Sequence, residues 1–151
     1  HFIVLERLQD PGNLGTILRA GEAAGITGVI MDSQTADIYN PKVIRSTMGA
    51  VFRVPFVYVE DLKAALLQLK DHGVHLYAAH LKGQNPYDQE DYTESTGFLI
   101  GNEAQGLSDE IASLADTYVK IPMAGSVESL NAAIASSVLM FEVARQRRNQ
   151  K

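Results

Sequence analysis

The chain of 151 residues sets 13 Lys and Arg against 18 Asp and Glu, a formal net charge of −5, with 46% hydrophobic residues and no Cys. This is the profile of one globular domain able to bury roughly 70% of the surface its unfolded chain would expose, which excludes disorder and fibres. The absence of cysteine excludes disulfides, a thiolate nucleophile and Cys-based metal sites, and the acidic balance confines any nucleic-acid contact to a local patch.

Apolar runs alternate with helical patterns from end to end, as in an α/β domain with a mainly parallel sheet and helices on both faces. Six strands are predicted near 2–6, 28–32, 55–59, 74–79, 97–101 and 117–121. Helices are predicted near 14–24, 41–49, 61–71, 107–114 and 129–147. The third is the clearest, because Leu62, Ala65, Leu66 and Leu69 recur at spacings of three and four, and Gly73 then stops it. In the last helix Val138, Leu139, Met140, Phe141, Val143 and Ala144 leave little polar circumference, so it is either sandwiched in the fold or faced by a partner subunit. The stretch from Lys82 to Thr96 reads as a polar excursion between two strands. No apolar run approaches the ~20 residues of a membrane span; Val138 to Phe141 is typical. Phe2 to Leu5 is too short, and lacks the basic lead, for a secretory signal. A first residue of His rather than Met leads us to expect a fragment of a longer protein.

Three segments can carry chemistry. In the first, a strand runs into Asp10-Pro11-Gly12-Asn13-Leu14-Gly15 and then a helix, so backbone N–H groups, the Asn13 amide and Arg19 can address an anion. Asn13 as a helix cap and Arg19 on a solvated face is the competing reading. In the second, a buried strand ends in Gly101-Asn102-Glu103-Ala104-Gln105-Gly106, where glycines admit a ligand close to the backbone and Glu103 can accept hydrogen bonds. A tight turn capped by Ser108 explains the same residues. The third, Ile121 to Ala133, kinks at Pro122, loops at Gly125 and begins a helix that Ser126 or Ser129 can cap. Asn131 then falls in the first turn, a poor place for an amide unless its side chain has a task or caps locally. A weaker fourth stretch places Lys42, Arg45 and Ser46 at a helix start, suited to a phosphate backbone or to an ordinary solvated face. Arg145, Arg147, Arg148 and Lys151 gather at the C-terminus, where they complement the helix dipole. His1, His72, His75 and His80 show no metal-binding spacing, and the dinucleotide, P-loop and nucleophile-elbow motifs are absent, so no metal is assigned.

Asn13-x-Gly15-x-x-x-Arg19, Gly101-Asn102-Glu103-Ala104-Gln105-Gly106-Leu107 and Ile121-Pro122-Met123-x-Gly125-Ser126-x-x-Ser129-Leu130-Asn131-x-Ala133, in this order, resemble the three motifs of the SpoU-type (TrmH-like) SPOUT RNA methyltransferases. Pro41-Lys42-x-x-Arg45-Ser46-x-x-Gly49-Ala50 also looks like the family's, and the resemblance spans essentially the whole chain. It implies a SPOUT-type domain with a C-terminal trefoil knot, a feature that topology priors alone oppose. It further implies a homodimer that binds S-adenosylmethionine through Gly101, Ile121, Met123 and Leu130. The implied reaction is methyl transfer to a ribose 2′-hydroxyl of structured RNA, ribosomal rather than transfer RNA, with Arg19, Asn13, Glu103, Ser129 and Asn131 catalytic and Lys42, Arg45 and Ser46 on the RNA. A separate N-terminal RNA-recognition domain outside residues 1–151, a cytoplasmic setting and no metal complete these expectations. Methylation of a base, and a non-catalytic RNA-associated module, are the other readings.

Overall fold

A computed structural model describes residues 1–150, so Lys151 of the C-terminal basic group lies outside the described residues. Seven parallel strands form one sheet: β1 (Phe2–Leu5), β2 (Gly28–Asp32), β3 (Phe56–Val59), β4 (His75–Ala79), β5 (Asn85–Pro86), β6 (Thr96–Ile100) and β7 (Thr117–Lys120). Their spatial order is β3-β2-β1-β6-β4-β7-β5. Five helices accompany them: α1 (Pro11–Ala24), α2 (Pro41–Ser46), α3 (Leu62–Asp71), α4 (Asp109–Ala112) and α5 (Ala132–Arg148). All six predicted strands are present. The seventh, β5, pairs only Asn85 and Pro86 with Val119 and Lys120, too short for any alternation to show.

Period-2 alternation sorts the strand residues between two cores. Ile3, Leu5, Met31, Tyr77, Phe98 and Ile100 pack on the face covered by α1, α2 and α5. Val4, Leu76 and Leu99 pack with Leu62 and Leu66 of α3 and Ile111 of α4 on the other. β6 is buried along its whole length, as suits a central parallel strand. The Asp61 carboxylate caps α3 by accepting from Ala64 N at 3.0 Å, and Gly73 takes φ +83° beyond its end.

Three helix boundaries differ from expectation by three residues, and α4 is two residues shorter at each end than the 107–114 expected. α1 begins at Pro11, not near residue 14, because the side chain of Asp10 accepts from Asn13 N at 3.0 Å and Pro11 suits a first helical position. Asn13 is therefore not the cap. α2 stops at Ser46, since Met48 and Gly49 take φ +50° and +88°, and a 3-10 turn over Ala50–Phe52 follows. α5 starts at Ala132 rather than 129, capped by Asn131 and by neither Ser126 nor Ser129. The polar excursion also hides a core residue: Tyr92 is fully buried among Tyr77 and Phe98. The C-terminal arginines do more than meet a dipole. Arg147 donates to the carbonyls of Tyr92 and Glu94, and Gln146 donates to that of Glu90, fastening the excursion to α5.

Candidate active site

The carboxyl ends of β4, β6 and β7 open into a cavity of about 660 Å³, the place where open parallel sheets receive ligands. Its apolar wall comes from Ile100, Val119, Ile121, Leu130, Ala132, Ala135 and Leu139, and its rim from the loop that follows Gly101. That loop folds back on itself: Asn102 N donates to Gly106 O at 3.2 Å and Gly106 N to Asn102 O at 2.9 Å. The Asn102 side chain pins it, accepting from Ala104 N and Gln105 N and donating to Arg7 O at 2.8 Å. A Cβ at Gly101 would stand 2.2 Å from the backbone of Gly106 and Leu107, so only glycine permits this closure. Ser108 then caps α4, while its N–H and hydroxyl each donate to the buried Glu6 carboxylate at 2.7 Å.

A hydrogen-bonded chain joins the three sequence segments at the rim. The Glu103 carboxylate accepts from Asp10 N at 2.8 Å, from Gln9 N at 3.1 Å and from the Asn13 amide at 3.4 Å. The Asn131 amide donates to Asn13 Oδ1 at 3.0 Å, while its own oxygen accepts from Ala133 N and Ile134 N. Asn131 thus serves both as a local cap and as a cross-link. Burial alone would raise the Glu103 carboxyl, but the N–H groups of Asp10, Glu103 itself and Gln9, with the Asn13 amide, outweigh it and hold the group below its ordinary value. Glu103 is therefore an ionised anchor at neutral pH, unsuited to giving up a proton.

Of the residues proposed from sequence, Gly101, Glu103, Ile121, Met123, Ser129 and Leu130 all line the cavity. Asn13 and Asn131 join it through the network. Arg19, Lys42 and Arg45 are exposed and lie off the cavity wall. Ser46 is half-buried, its hydroxyl donating to Val43 O at 2.9 Å and packed where a Gly15 side chain would be. Sequence reasoning missed Asp10, Asn102 and Glu6, of which Asp10, directly before a proline at a helix start, and Asn102, in an Asx turn, had local signatures. It also missed His80, Lys82 and Glu128 on the cavity wall, for which no spacing pattern exists.

The model of the SpoU rRNA methylase family matches residues 1–141. The chain belongs to that family. Among related proteins, it is 35% identical over 141 residues to the Bacillus subtilis protein named 23S rRNA (guanosine(2553)-2′-O)-methyltransferase RlmP, covering 93% of this chain and 56% of that protein. It superposes with TM-score 0.90 and 37% identity on the SpoU methyltransferase AviRb of Streptomyces viridochromogenes in complex with AdoMet, covering 98% of this chain and 58% of that one. A structure described by the 2-OH methylation of C/U34 on tRNA gives TM-score 0.88 at 27% identity, covering 98% of this chain and 96% of that one. The chain spans less than three-fifths of the length of the curated relatives it matches, 58% of a Staphylococcus aureus TrmH-family protein among them.

Proposed function

We propose that this SpoU-family domain transfers a methyl group from S-adenosylmethionine to a ribose 2′-hydroxyl of RNA. The observation that carries the reading is the convergence of three distant segments, through Asn131, Asn13 and Glu103, at the rim of one apolar-walled cavity. The cavity suits the cofactor. Its volume lies in the range of small-molecule sites, Ala132, Ala135, Leu139 and Ile121 supply apolar walls for an adenosine, and the backbone around Gly101 and Met123 supplies polar contacts. When bound, the cofactor supplies an electrophilic methyl on a sulfonium.

A ribose hydroxyl is a very weak acid, so the protein's task is to orient its oxygen and stabilise the charge that develops there as its proton passes to solvent at the rim, the new oxygen–methyl bond replacing the methyl–sulfur bond and S-adenosylhomocysteine leaving as the neutral thioether. Arg19 holds the RNA phosphate and the nascent alkoxide through its planar array of N–H donors. Among the described residues its guanidinium makes no hydrogen bond or ion pair, which leaves all five donors for substrate. Because Arg19 lies off its own chain's cavity wall, the reading includes a homodimer in which each copy's Arg19 serves the other's cavity. Support comes from Ile134, Val138 and Phe141, which form an apolar stripe along α5, with Ile134 and Phe141 exposed beside the packed α1. The trefoil knot belongs to the same reading, supported by loops 80–82, 101–107 and 121–130 converging on one cavity. Ribosomal RNA in the cytoplasm is the proposed substrate and setting, following the rRNA relative of higher identity. Further RNA affinity is assigned to a recognition domain of the kind the relatives' extra length accommodates.

The test is transfer of labelled methyl from S-adenosylmethionine to ribosomal or transfer RNA, followed by digestion to nucleosides. A 2′-O-methylnucleoside is expected, with activity falling on the order of a hundredfold or more for Arg19→Ala while cofactor binding is retained. Label on a base, or no label from either RNA class, overturns the reading. Sedimentation at micromolar concentration checks the dimer, and a stable monomer rejects that part.

A further inference from the structure

Residues 38–59 contain no Asp or Glu and three cations, Lys42, Arg45 and Arg53, in a chain whose net charge is −5. Within it, residues 39–53 display three large apolar side chains to solvent: Tyr39 at 66%, Met48 at 67% and Phe52 at 83% exposure. Met48 is held there by a left-handed backbone, φ +50°, a conformation that is strained for a non-glycine residue and needs support from its surroundings. Support comes from Arg53, whose guanidinium donates to Met48 O at 3.4 Å and to the Glu22 carboxylate.

The helical repeat shows where this stretch lies relative to Arg19. Gly15, Arg19 and Glu22 are spaced by four and three, so they share one face of α1. Gly15 meets Ser46 and Glu22 meets Arg53, which places Arg19 between two points of contact with the 43–53 segment. Arg19, Lys42 and Arg45 are exposed, and the charge of Arg53 is offset by Glu22. A surface on which cations alternate with exposed planar and flexible apolar side chains has the chemistry that holds a single strand of nucleic acid, with phosphates on the cations and bases on the apolar faces.

We propose that Phe52, with the exposed apolar surface of residues 39–53 around it, stacks against an unpaired base of the RNA strand whose phosphates Lys42, Arg45 and Arg19 hold. This rests on the RNA methyltransferase reading and extends it by naming where the strand beside the target nucleotide lies.

The experiment uses a fluorescein-labelled single-stranded oligouridine of about twelve nucleotides, a length within the usual site sizes for such surfaces, with anisotropy read at low salt. Phe52→Ala is expected to weaken binding about tenfold, Phe52→Tyr to restore it, and binding of S-adenosylhomocysteine to stay unchanged. An oligouridine carrying 4-thiouridine should cross-link to the peptide containing Phe52. Three results overturn the proposal: no oligouridine binding by the parent protein, equal affinity for Phe52→Ala, or a Phe52→Ala protein whose oligomeric state shifts in sedimentation, which makes the surface a protein interface. Methyl transfer to RNA that persists beside unchanged oligouridine affinity rejects this face alone. Loss of oligouridine affinity in a protein that methylates no RNA keeps the face and rejects the enzyme.

Discussion

The two halves of α1 are held by different physics. Its first turn is bound by directional hydrogen bonds, with Asp10 and Asn13 fixed to Glu103 and through Asn13 to Asn131. Its later turns are held by shape and by one ion pair, Gly15 against Ser46 and Glu22 against Arg53, and between them Arg19 is left unbound. A cavity for a small cofactor needs groups locked within fractions of an ångström, whereas a surface that receives a polymer needs charge at the right place and room to adjust. The molecule puts rigidity at one end of the helix and accessibility at the other.

The most severe way to break the rigid end is Gly101→Ala. The new Cβ meets backbone on the 102–106 turn at 2.2 Å, and backbone cannot step aside as a side chain tip can. We expect at least a tenfold loss of S-adenosylhomocysteine affinity by calorimetry and about 3 kcal/mol of stability, since the turn must open to relieve the overlap. Unchanged affinity would mean that the turn does not shape the cavity.

Gly15→Ala probes the other end by packing alone. Its Cβ would come 1.6 Å from Ser46 Oγ and 2.7 Å from Ser46 Cβ, a cost of about 2 kcal/mol in chemical unfolding. Adding Ser46→Gly should recover most of that loss, because the two sites share one contact. Without recovery, the cost would lie in the nearby Val43 carbonyl rather than in Ser46.

The contrast between the two ends also explains what could be read from sequence. Asn13, Glu103 and Asn131 were legible together only through the resemblance of their three ordered segments to the family's motifs, because each segment by itself reads equally well as a local turn or cap. The strands were legible because burial on both faces demands a short continuous apolar run, as at Ile3, Val4 and Leu5. β5 escaped because two residues, one of them proline, carry no period. Tyr92 escaped because Tyr87 and Tyr92, two aromatics in a polar stretch, set no period that marks one of them as core. Asp10 and Asn13 are equally good caps by residue type, and what separates them is Pro11, which suits a first helical position and leaves the Asp10 carboxylate to accept from Asn13 N. The placement of Arg19 off the cavity wall depends on how α1 is rotated about its axis, which is set by the Gly15 and Glu22 contacts with a segment some thirty residues away.

Asn131→Ala sharpens the comparison by removing one side chain with two tasks. Losing the cap of α5 should cost about 1 kcal/mol, roughly 3 °C in melting temperature for a domain of this size. Asn131→Asp restores acceptance from Ala133 N and Ile134 N but cannot donate to Asn13 Oδ1. If the cross-link matters beyond the cap, the Asp variant should recover the melting temperature while its cofactor affinity stays reduced. Joint recovery of both would reduce Asn131 to a cap.

The smallest effect is expected from Glu103→Gln, and its signature is in the pH dependence. The folded protein holds this carboxyl below its ordinary value, so the ionised form contributes stability that is fully present above the unfolded value and is lost as pH falls through the lowered folded value. The glutamine side chain keeps one acceptor oxygen but turns N–H groups toward a cluster of donors, Gln9 N, Asp10 N and the Asn13 amide. At neutral pH the variant should melt lower by on the order of one or two degrees, a modest difference because the group sits at a solvated rim where fields are screened. On acidification into the carboxylate range the two melting curves should converge, since the parent then loses the charge that the variant never had. A gap that persists to the most acidic pH at which both proteins fold would place the stabilisation in the shape of the side chain, and the first turn of α1 would then be held as its later turns are, by packing.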